Sequence, residues 1–325
     1  MILVTGCTGY IGFHICELLE LKKVPYFGID NFSRSHSKNI INKKKFQKID
    51  IDSNSISSLL KSKRIHTVIH AAAFSFPPES ENNKKIYFKN NILKTKKFIN
   101  NCSKLDVKRF IFLSSSNVYK DSNKKKIESS NIKISHIKNN YGKTKFLIEK
   151  FLISKKKNFK NLIILRLFNI AGYTDSLKYS ERKIDKDLRI FPLIFKKIIN
   201  KKIISIYVKN KNNRLIYPKR DYLHINDLIN LIIKIIKKLN KFNKKEIYNV
   251  GMGINYSLNE ILTSVEKKLS TNMKKNLKLR YRNINSKELI STLSDVKKIS
   301  KTFNWKPRNS IDEIISSCMN NLSKF

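Results

Sequence analysis

The stretch VTGCTGYIG, residues 4–12, places three glycines between an apolar run at residues 1–4 and a helical pattern. In a strand-turn-helix unit, Gly6, Gly9 and Gly12 are spaced so that backbone amides at the start of the helix can touch the pyrophosphate of a dinucleotide. The same spacing also occurs where a strand and a helix only pack tightly. The motif therefore indicates a nucleotide site, and the rest of the chain has to supply the context.

A second string, YGKTK at residues 141–145, places a phenol and an ammonium group four residues apart. On a helix, Tyr141 and Lys145 lie side by side on one face. A phenol beside a cation, with a nicotinamide close to both, can move a proton and a hydride. Because such a pair is common on lysine-rich helices, it is the combination with the glycine turn that predicts a redox enzyme.

The composition is strongly basic. The 325 residues carry a formal net charge of +44, yet the lysines are spread over the whole chain, as at residues 43–45, 124–126 and 155–157. No recognised nucleic-acid motif accompanies them. We expect nonspecific attraction of polyanions and no specific nucleic-acid partner.

Features that the sequence lacks bear on location and metal binding. No apolar stretch approaches a membrane span, the first strand leaves no room for a leader, and the four cysteines show neither paired nor metal-ligand spacing. His70 and His224 stand at predicted strand ends without an acidic or cysteine partner in sequence, so we interpret both as scaffold residues. These features predict a cytoplasmic protein without a membrane anchor or a metal site.

Strand and helix patterns alternate through the first half of the chain. This alternation predicts an α/β fold with a doubly wound parallel sheet of the Rossmann type, in which ligands bind at the carboxyl ends of the strands. The predicted strands cover residues 1–4, 24–29, 67–70, 109–113 and 162–168, and the predicted helices cover residues 83–105 and 141–154.

The pattern loosens after Gly172, which predicts a smaller C-terminal α/β lobe that binds the substrate. We assign residues 1–172, with a returning segment at about 213–251, to the dinucleotide-binding domain. Residues 173–212 and 252–325 form the predicted lobe. Its predicted elements, with those of the returning segment, are a loop at 173–189, strands at 203–208, 222–225 and 247–250, and helices from 226, at 257–269 and at 311–322.

Asp30 ends the second predicted strand, where a carboxylate would accept hydrogen bonds from an adenosine ribose. It would repel a 2′-phosphate, which favours NAD over NADP. Arg34, close behind, is a weaker signal in the other direction, and we interpret it as a surface residue. Asp50 and Ile51 follow a further predicted strand, which lies between those at 24–29 and 67–70. The pair predicts an adenine pocket, although an ordinary polar turn fits it equally well.

Further strings occur in a fixed order along nearly the whole chain. Besides the glycine turn and YGKTK, they are SSSNVY at residues 114–119, LRLFNIAG at 165–172, KRDYLHINDL at 219–228, YNVG at 248–251 and FNWKP at 303–307. Together they resemble the extended short-chain dehydrogenase/reductase family, and within it the epimerases that act on nucleotide sugars. The resemblance implies NAD as cofactor and a UDP-hexose as substrate. It implies interconversion of UDP-glucose and UDP-galactose, with N-acetylated forms as further candidates, through a transient 4-keto sugar.

The resemblance also implies catalytic roles for matching positions. Tyr141 would remove the proton of the sugar 4-hydroxyl group, and Ser115 would hydrogen-bond the same oxygen. For work near neutrality the Tyr141 pKa must fall from about 10 to about 7, which is worth about 4 kcal/mol. Lys145 and the positive nicotinamide would supply this lowering.

The remaining implied contacts divide into cofactor and substrate. The residues expected to contact NAD are Gly6, Gly9, Tyr10, Ile11, Gly12, Asp30, Asn31, Asp50, Ile51, Ala71, Ala72, Ala73, Asn91, Lys145 and Phe168. Those expected to contact the substrate are Ser115, Tyr141, Asn169 and Arg220, with Arg220 as a cation for the diphosphate. Alternatives stay open for three of them: a capped strand end for Ser115, an exposed helix position for Asn91 and a structural ion pair for Arg220.

Other activities within the same family are alternatives. Dehydratases carry an acidic pair before Val-Tyr, whereas Ser116 and Asn117 stand there in this chain, which argues against elimination. A reductase and a non-catalytic NAD-binding protein are the other two alternatives.

The chain departs from the usual epimerase pattern at three places that bear on the sugar. Ser75 replaces a lysine, Leu167 replaces a tyrosine, and Asn285 lies near the usual place of an arginine. The preferred sugar therefore stays open. By analogy, a homodimer through the helices at 83–105 and 141–154 is expected.

Overall fold

The computed structural model describes residues 1–105, 107–176, 178–180, 189–211, 214–239, 243–284 and 289–321. In chain order its strands are β1 (Ile2–Thr5), β2 (Tyr26–Asp30), β3 (Phe46–Lys48), β4 (Thr67–His70), β5 (Arg109–Ser115), β6 (Asn161–Leu167), β7 (Asn169–Ala171), β8 (Ile204–Lys211), β9 (Arg214–Ile216), β10 (Lys219–His224), β11 (Lys245–Val250), β12 (Asn255–Ser257) and β13 (Leu279–Asn283).

The α-helices connect these strands and cover both faces of the sheet. They are α1 (Tyr10–Leu21), α2 (Ile56–Ser62), α3 (Pro77–Asn82), α4 (Lys84–Phe88), α5 (Thr95–Lys104), α6 (Asn140–Ser154), α7 (Ile190–Ile199), α8 (Ile225–Lys238), α9 (Leu258–Lys268), α10 (Thr271–Lys274), α11 (Lys297–Phe303) and α12 (Ile311–Met319). Short 3₁₀ turns occur between them, including Ser116–Val118 directly after β5.

The central sheet has seven parallel strands in the order β11-β6-β5-β4-β1-β2-β3. The chain order reverses beside β1, so the sheet is doubly wound, as the sequence predicts. Strands covered on both faces are mainly apolar, and β1 is fully buried. Ile2 and Val4 pack towards α1 and α8, whereas Leu3 packs towards α5 and α6.

Two smaller three-stranded sheets, β12-β10-β7 and β13-β8-β9, belong to the second region of the molecule. A third apolar cluster, which includes Phe195, Ile261 and Ile314, packs there, and Phe13 of α1 belongs to it. The second region therefore shares its core with the helix that follows the glycine turn. Its presence agrees with the predicted fold class, and the boundaries proposed for the two domains stay predictions.

One predicted helix differs in kind from the observed structure. Residues 83–105 form α4 and α5 joined by a π-helical turn, Lys89–Lys94, rather than one regular α-helix. The wider turn places Asn91 inward, where its amide bonds both polar groups of the Phe74 backbone. The sequence pattern also leaves out α2, α3 and α7. Of the predicted elements, Leu322 and much of the loop at 173–189 lie outside the described residues, as does Asn285.

Candidate active site

A cavity of about 820 Å³ opens at the carboxyl ends of the central strands, within the size range of small-molecule sites. Its wall includes residues that follow β1, β4, β5 and β6 as well as residues of the second region. Most of the predicted site residues line it: Gly6, Gly9, Tyr10, Ile11, Gly12, Ala71, Ala73, Ser115, Tyr141, Lys145, Phe168, Asn169 and Arg220.

The glycine turn forms one wall of this cavity. Gly6 has a φ of +68°, and a Cβ at Gly12 would lie 2.0 Å from the Gly6 carbonyl oxygen, so both positions require glycine. A Cβ at Gly9 would meet only that same oxygen, at 3.4 Å, and its remaining surroundings are cavity. No side chain caps the N-terminus of α1. Open amides at a helix N-terminus suit an anionic diphosphate, so this wall fits a dinucleotide.

The carboxylate of Asp30 stands beside the turn at the end of β2. It accepts hydrogen bonds from the backbone N–H of Thr8 (3.2 Å), the backbone N–H of Phe32 (2.8 Å) and the Ser35 hydroxyl (3.1 Å). These bonds fix an acceptor next to the place where the turn would hold a diphosphate. Asp30 is buried and does not line the cavity itself, so its contact with a ribose stays a prediction.

A polar group around Asp50 lies farther along the same edge of the sheet. Its carboxylate accepts hydrogen bonds from Asn31 Nδ2 (2.8 Å) and Lys94 Nζ (2.5 Å). Burial raises the pKa of Asp50, but the bonds from Lys94 and Asn31 outweigh it and leave the pKa below its usual value. The adjacent Ile51 is part of the apolar core. The carboxylate is therefore ionised and already paired within the protein.

Six predicted cofactor residues lie outside the cavity wall, namely Asp30, Asn31, Asp50, Ile51, Ala72 and Asn91. Asn91 is buried, and its amide bonds the Phe74 backbone and the Thr144 hydroxyl rather than facing the cavity. It therefore anchors the segment after β4 to α6, and the exposed alternative does not describe it. Contacts of these six residues with NAD stay predictions.

Helix α6 brings Tyr141 and Lys145 into the cavity. Its first backbone N–H groups are capped in turn: that of Asn140 by the Glu81 carboxylate (2.7 Å) and that of Tyr141 by the Ser80 hydroxyl (3.0 Å). Lys145 Nζ donates to the Leu113 carbonyl (2.8 Å) and lies 6.0 Å from the centre of the Tyr141 ring. The phenol and the ammonium group are thus neighbours, as their spacing predicts.

Burial drives these two groups towards their neutral forms. It raises the pKa of Tyr141 to about 12, although a hydrogen bond from Ser115 opposes the rise. It lowers the pKa of Lys145 to about 7, against the attraction of Glu149. This departs from the expectation that Lys145 makes Tyr141 acidic: in the protein alone, burial raises the Tyr141 pKa more than the hydrogen bond from Ser115 lowers it. The lowering of this pKa by Lys145 and the nicotinamide stays a prediction.

Ser115 ends β5 and faces the same cavity. Its Oγ accepts hydrogen bonds from the backbone N–H (3.2 Å) and the side-chain Nδ2 (3.1 Å) of Asn117. Ser115 therefore does cap the turn after the strand, as the alternative has it. This capping leaves its own hydrogen free to be donated, so it is compatible with the predicted role.

A buried network lies behind these residues, and sequence reasoning did not single it out. The Glu149 carboxylate accepts from Ser114 Oγ (2.5 Å) and pairs with Arg166 (2.7 Å), and Arg166 donates to the Tyr119 hydroxyl (2.9 Å). Tyr119 in turn donates to Asn249 Oδ1 (2.7 Å). The strings SSSNVY, LRLFNIAG and YNVG each supply a member, so their fixed order was the available signal.

The second region supplies the opposite wall. The Arg220 guanidinium donates to the carbonyls of Lys219 (3.1 Å) and Ile290 (3.5 Å) at the cavity, and Asn169 lies at the start of β7. Arg189, which the sequence analysis missed, also lines the cavity, with its guanidinium carbon 3.0 Å from the centre of the Tyr10 ring. The sequence before it carries no motif, so no sequence signal marked it.

The two histidines occupy scaffold positions. His70 Nδ1 bonds the Thr5 hydroxyl (2.9 Å), and burial lowers the pKa of the ring to about 3. His224 Nδ1 accepts from the backbone N–H of Asn226 (3.0 Å) and caps α8.

Among the described residues, no group of three or more His, Cys, Asp or Glu side chains is arranged to hold a metal ion. No helix in the same residues is long and apolar enough to cross a bilayer.

Comparison with known proteins assigns the family. The sequence profile of the NAD dependent epimerase/dehydratase family matches residues 2–251. The chain belongs to this family. It is therefore an NAD-dependent enzyme, and the glycine turn and cavity wall described above fit that cofactor.

Two curated relatives and one solved structure are similar over almost the whole length. UDP-glucose 4-epimerase from Lactobacillus helveticus is 28% identical over 97% of this chain and 95% of its own, and that from Dictyostelium discoideum is 29% identical over 96% and 93%. A crystal structure of UDP-glucose-4-epimerase from Stenotrophomonas maltophila, with bound NAD and formylated UDP-arabinopyranose, superposes with a TM-score of 0.89 at 21% identity, covering 99% of this chain and 97% of that one. At that identity the structural likeness establishes the fold.

Proposed function

We propose that this enzyme is a nucleotide-sugar 4-epimerase that interconverts UDP-glucose and UDP-galactose through a transient 4-keto sugar. The observation that carries the proposal is the convergence of Tyr141, Lys145 and Ser115 with the glycine turn on one cavity. The two curated relatives, both UDP-glucose 4-epimerases along nearly their whole length, support the choice of reaction. N-acetylated UDP-hexoses are the alternative substrates of the same site.

The cofactor would lie along the glycine turn, with Gly9, Tyr10 and Ile11 at its diphosphate and Asp30 at its ribose. Bound there, NAD would supply the acceptor that takes a hydride from sugar C4 and gives it back. Phe168 and Ala71, which line the cavity above the strand ends, offer apolar contact to a ring. Lys145 supplies a donor beside Tyr141 at the same place.

The protein would perform the proton transfer of the reaction. Tyr141, as phenolate, takes the proton of the 4-hydroxyl group and later returns it, while the Ser115 hydroxyl donates a hydrogen bond to the same oxygen. Lys145 in its charged form stabilises the phenolate. Because burial favours neutral groups here, the positive charge brought by NAD is what makes Tyr141 a competent base. The unloaded protein would be a poor one.

Epimerisation requires the keto sugar to turn while its diphosphate stays anchored. Arg220 and Asn169, on the wall opposite the glycine turn, are placed for that anchor. At the dehydratase position Asn117 carries no acid, which favours epimerisation over elimination.

Product analysis tests the proposal. The protein, as purified and without added cofactor, is incubated with UDP-glucose, UDP-galactose and their N-acetylated forms, and the products are identified by NMR. We expect one pair of C4 epimers to reach equilibrium, with the N-acetylated pair distinguishing the two substrate choices. Release of a 4-keto sugar would identify a dehydratase, net consumption of NADH a reductase, and the absence of any product a non-catalytic NAD-binding protein.

We also propose the homodimer that the family resemblance implies. Four exposed apolar side chains lie on the two predicted interface segments: Ile86, Phe88, Leu93 and Ile153. Exposed apolar side chains of this kind suit a protein–protein interface. Sedimentation of Leu93→Glu should give a monomer. Leu21→Glu, a matched exposed leucine on α1, should leave the assembly unchanged.

A further inference from the structure

Asn117 takes no part in the proposed reaction, yet it lines the cavity and joins two of its most important elements. Its amide lies between Ser115 at the end of β5 and Asn139 at the cap of α6. Asn139 is buried, and Ser115 is buried as well. Each atom along the hydrogen bonds that join these three residues can be assigned as a donor or an acceptor.

The assignment of donors and acceptors begins with a group that can only be a donor. The backbone N–H of Gly142 can only donate, and it donates to Asn139 Oδ1 (2.8 Å). The Asn139 amide must then turn its Nδ2 towards Asn117, where Oδ1 accepts it (2.8 Å). With Oδ1 of Asn117 so engaged, its Nδ2 faces Ser115 Oγ at 3.1 Å. The orientation of both side-chain amides thus follows from the hydrogen bond donated by the backbone of α6.

Ser115 receives a second donor from the same residue. The backbone N–H of Asn117 also points at Ser115 Oγ, at 3.2 Å. A hydroxyl group has two acceptor lone pairs and one hydrogen. When both lone pairs are taken by Asn117, the hydrogen of Ser115 can only be donated elsewhere. Tyr141, whose pKa a hydrogen bond from Ser115 lowers, lines the same cavity.

We propose that Asn117, oriented by Asn139 and the N-terminus of α6, is a positioning residue that makes Ser115 an obligatory hydrogen-bond donor towards Tyr141 and the reacting sugar oxygen. A donor there stabilises the phenolate and the negative charge that develops on oxygen, whereas an acceptor would oppose both. The inference rests on the proposed roles of Ser115 and Tyr141. It adds a reason for a neutral amide, rather than an acid, at position 117.

The substitution Asn117→Asp reverses the polarity at nearly constant shape. The new carboxylate still accepts from Asn139, but its second oxygen accepts from Ser115 instead of donating to it. The Ser115 hydrogen then turns away from Tyr141. In the NAD-loaded protein we expect the pKa of Tyr141 to rise by at least about one unit, which is a tenfold loss of phenolate near neutrality. Turnover should fall at least about tenfold with the substrate KM within about twofold.

The added charge alone would also raise the pKa of Tyr141, so the test uses a double-mutant cycle. Tyr141 is titrated by phenolate absorbance in the loaded protein, as the difference from Tyr141→Phe in each background, since the chain has 13 tyrosines. Asn117→Asp is compared in the presence of Ser115 and in Ser115→Ala. We expect less than half of the shift in the Ser115→Ala background. An equal shift in both backgrounds, or no shift with Ser115 present, overturns the proposal.

A direct measurement keeps the proposal testable if a variant does not fold. Neutron diffraction from crystals of the unsubstituted, NAD-loaded protein exchanged into D₂O locates the Ser115 deuteron. It should point towards the Tyr141 oxygen, with both deuterons of Asn117 Nδ2 on the Ser115 side of the amide. A Ser115 deuteron directed at Asn117 contradicts the proposal. Neither titration nor diffraction needs a sugar, so failure of the proposed function would leave these readouts intact.

Discussion

At the residue scale, the centre of the site is a pair of groups that burial pushes in opposite directions. The pKa of Tyr141 is raised to about 12 and that of Lys145 is lowered to about 7 because both lose hydration. A neutral phenol is a weak base, and a neutral amine is a weak electrostatic partner for it. We therefore propose that cofactor binding does more than supply the redox group, since its positive charge would favour the Tyr141 phenolate.

Replacing Tyr141 by phenylalanine should abolish turnover, by at least about a thousandfold, while cofactor binding and folding persist, because only the proton-transferring group is removed. The measurement is turnover together with bound NAD determined after denaturation. Tyr119→Phe is the matched control: its hydroxyl bonds Arg166 and Asn249 in the buried network, so it should lose about 1–3 kcal/mol of stability and keep most of its activity. Comparable loss of turnover in both variants would contradict the role of Tyr141.

The lowered pKa of Lys145 predicts a pH dependence of stability. The folded protein without NAD releases this proton near pH 7 and the unfolded chain near pH 10.5, so between these values the unfolded state binds more protons. The contribution of Lys145 to the free energy of unfolding therefore rises with pH across this window, by at most about 1.4 kcal/mol per pH unit. Urea unfolding of the NAD-free protein from pH 6.5 to 9 should show this rise relative to Lys145→Met. A constant difference between the two would contradict the burial of a titrating amine.

At the element scale, the three glycines of α1 and the turn before it have different roles. Gly6 and Gly12 allow the strand, turn and helix to pack, whereas Gly9 leaves space on the cavity side. The same motif thus contains two positions required by the fold and one, Gly9, that we propose the ligand requires.

The two kinds of glycine should respond differently to alanine. Gly9→Ala has an ordinary extended backbone conformation and only one close neighbour, so it should fold normally and bind NAD at least about tenfold more weakly, since the methyl group stands where the diphosphate approaches. Gly12→Ala should lose at least about 3 kcal/mol of stability, because its Cβ meets backbone at 2.0 Å. Thermal unfolding and NAD titration of both variants provide the test. Equal stability of the two would show that the turn is packed otherwise.

Much of the fold can be predicted from the hydrophobic patterns of the sequence. Buried strands covered on both faces are mainly apolar, and β1, β4 and β6 therefore stand out in the chain. The π-helical turn around Asn91 does not, because one extra residue in a turn leaves the helical period almost unchanged. The approach of Asn117 to Asn139, 22 residues apart in sequence, depends on the packing of α6 against the end of β5. No local pattern carries such a contact.

At the scale of the whole molecule, the net charge of +44 surrounds an anion-binding cavity with a positive potential. Such a field draws in nucleotide sugars and also any polyanion. The two effects differ in their response to salt, because contacts with a nucleic-acid backbone release counterions in proportion to the number of phosphates engaged. Buried contacts in a cavity are screened much less.

Binding of duplex DNA should therefore occur at low ionic strength and fall steeply, to an undetectable level by about 0.3 M salt. Turnover of the nucleotide sugar should change by only a few-fold over the same range. Fluorescence anisotropy with labelled DNA, run in parallel with the epimerase assay, measures both. DNA binding that persists at high salt, together with sensitivity to base sequence, would mean that the charge has a specific partner.

Retention of a C4 label tests the central claim most directly. UDP-galactose carrying deuterium at C4 is converted in ordinary water by the purified protein without added cofactor, and the UDP-glucose formed is analysed by NMR and mass spectrometry. If Tyr141 handles the proton while the C4 hydrogen is taken and given back inside one cavity, the product keeps its deuterium at C4. Loss of the label to solvent, or its appearance in a released keto sugar or cofactor, would contradict epimerisation at this site.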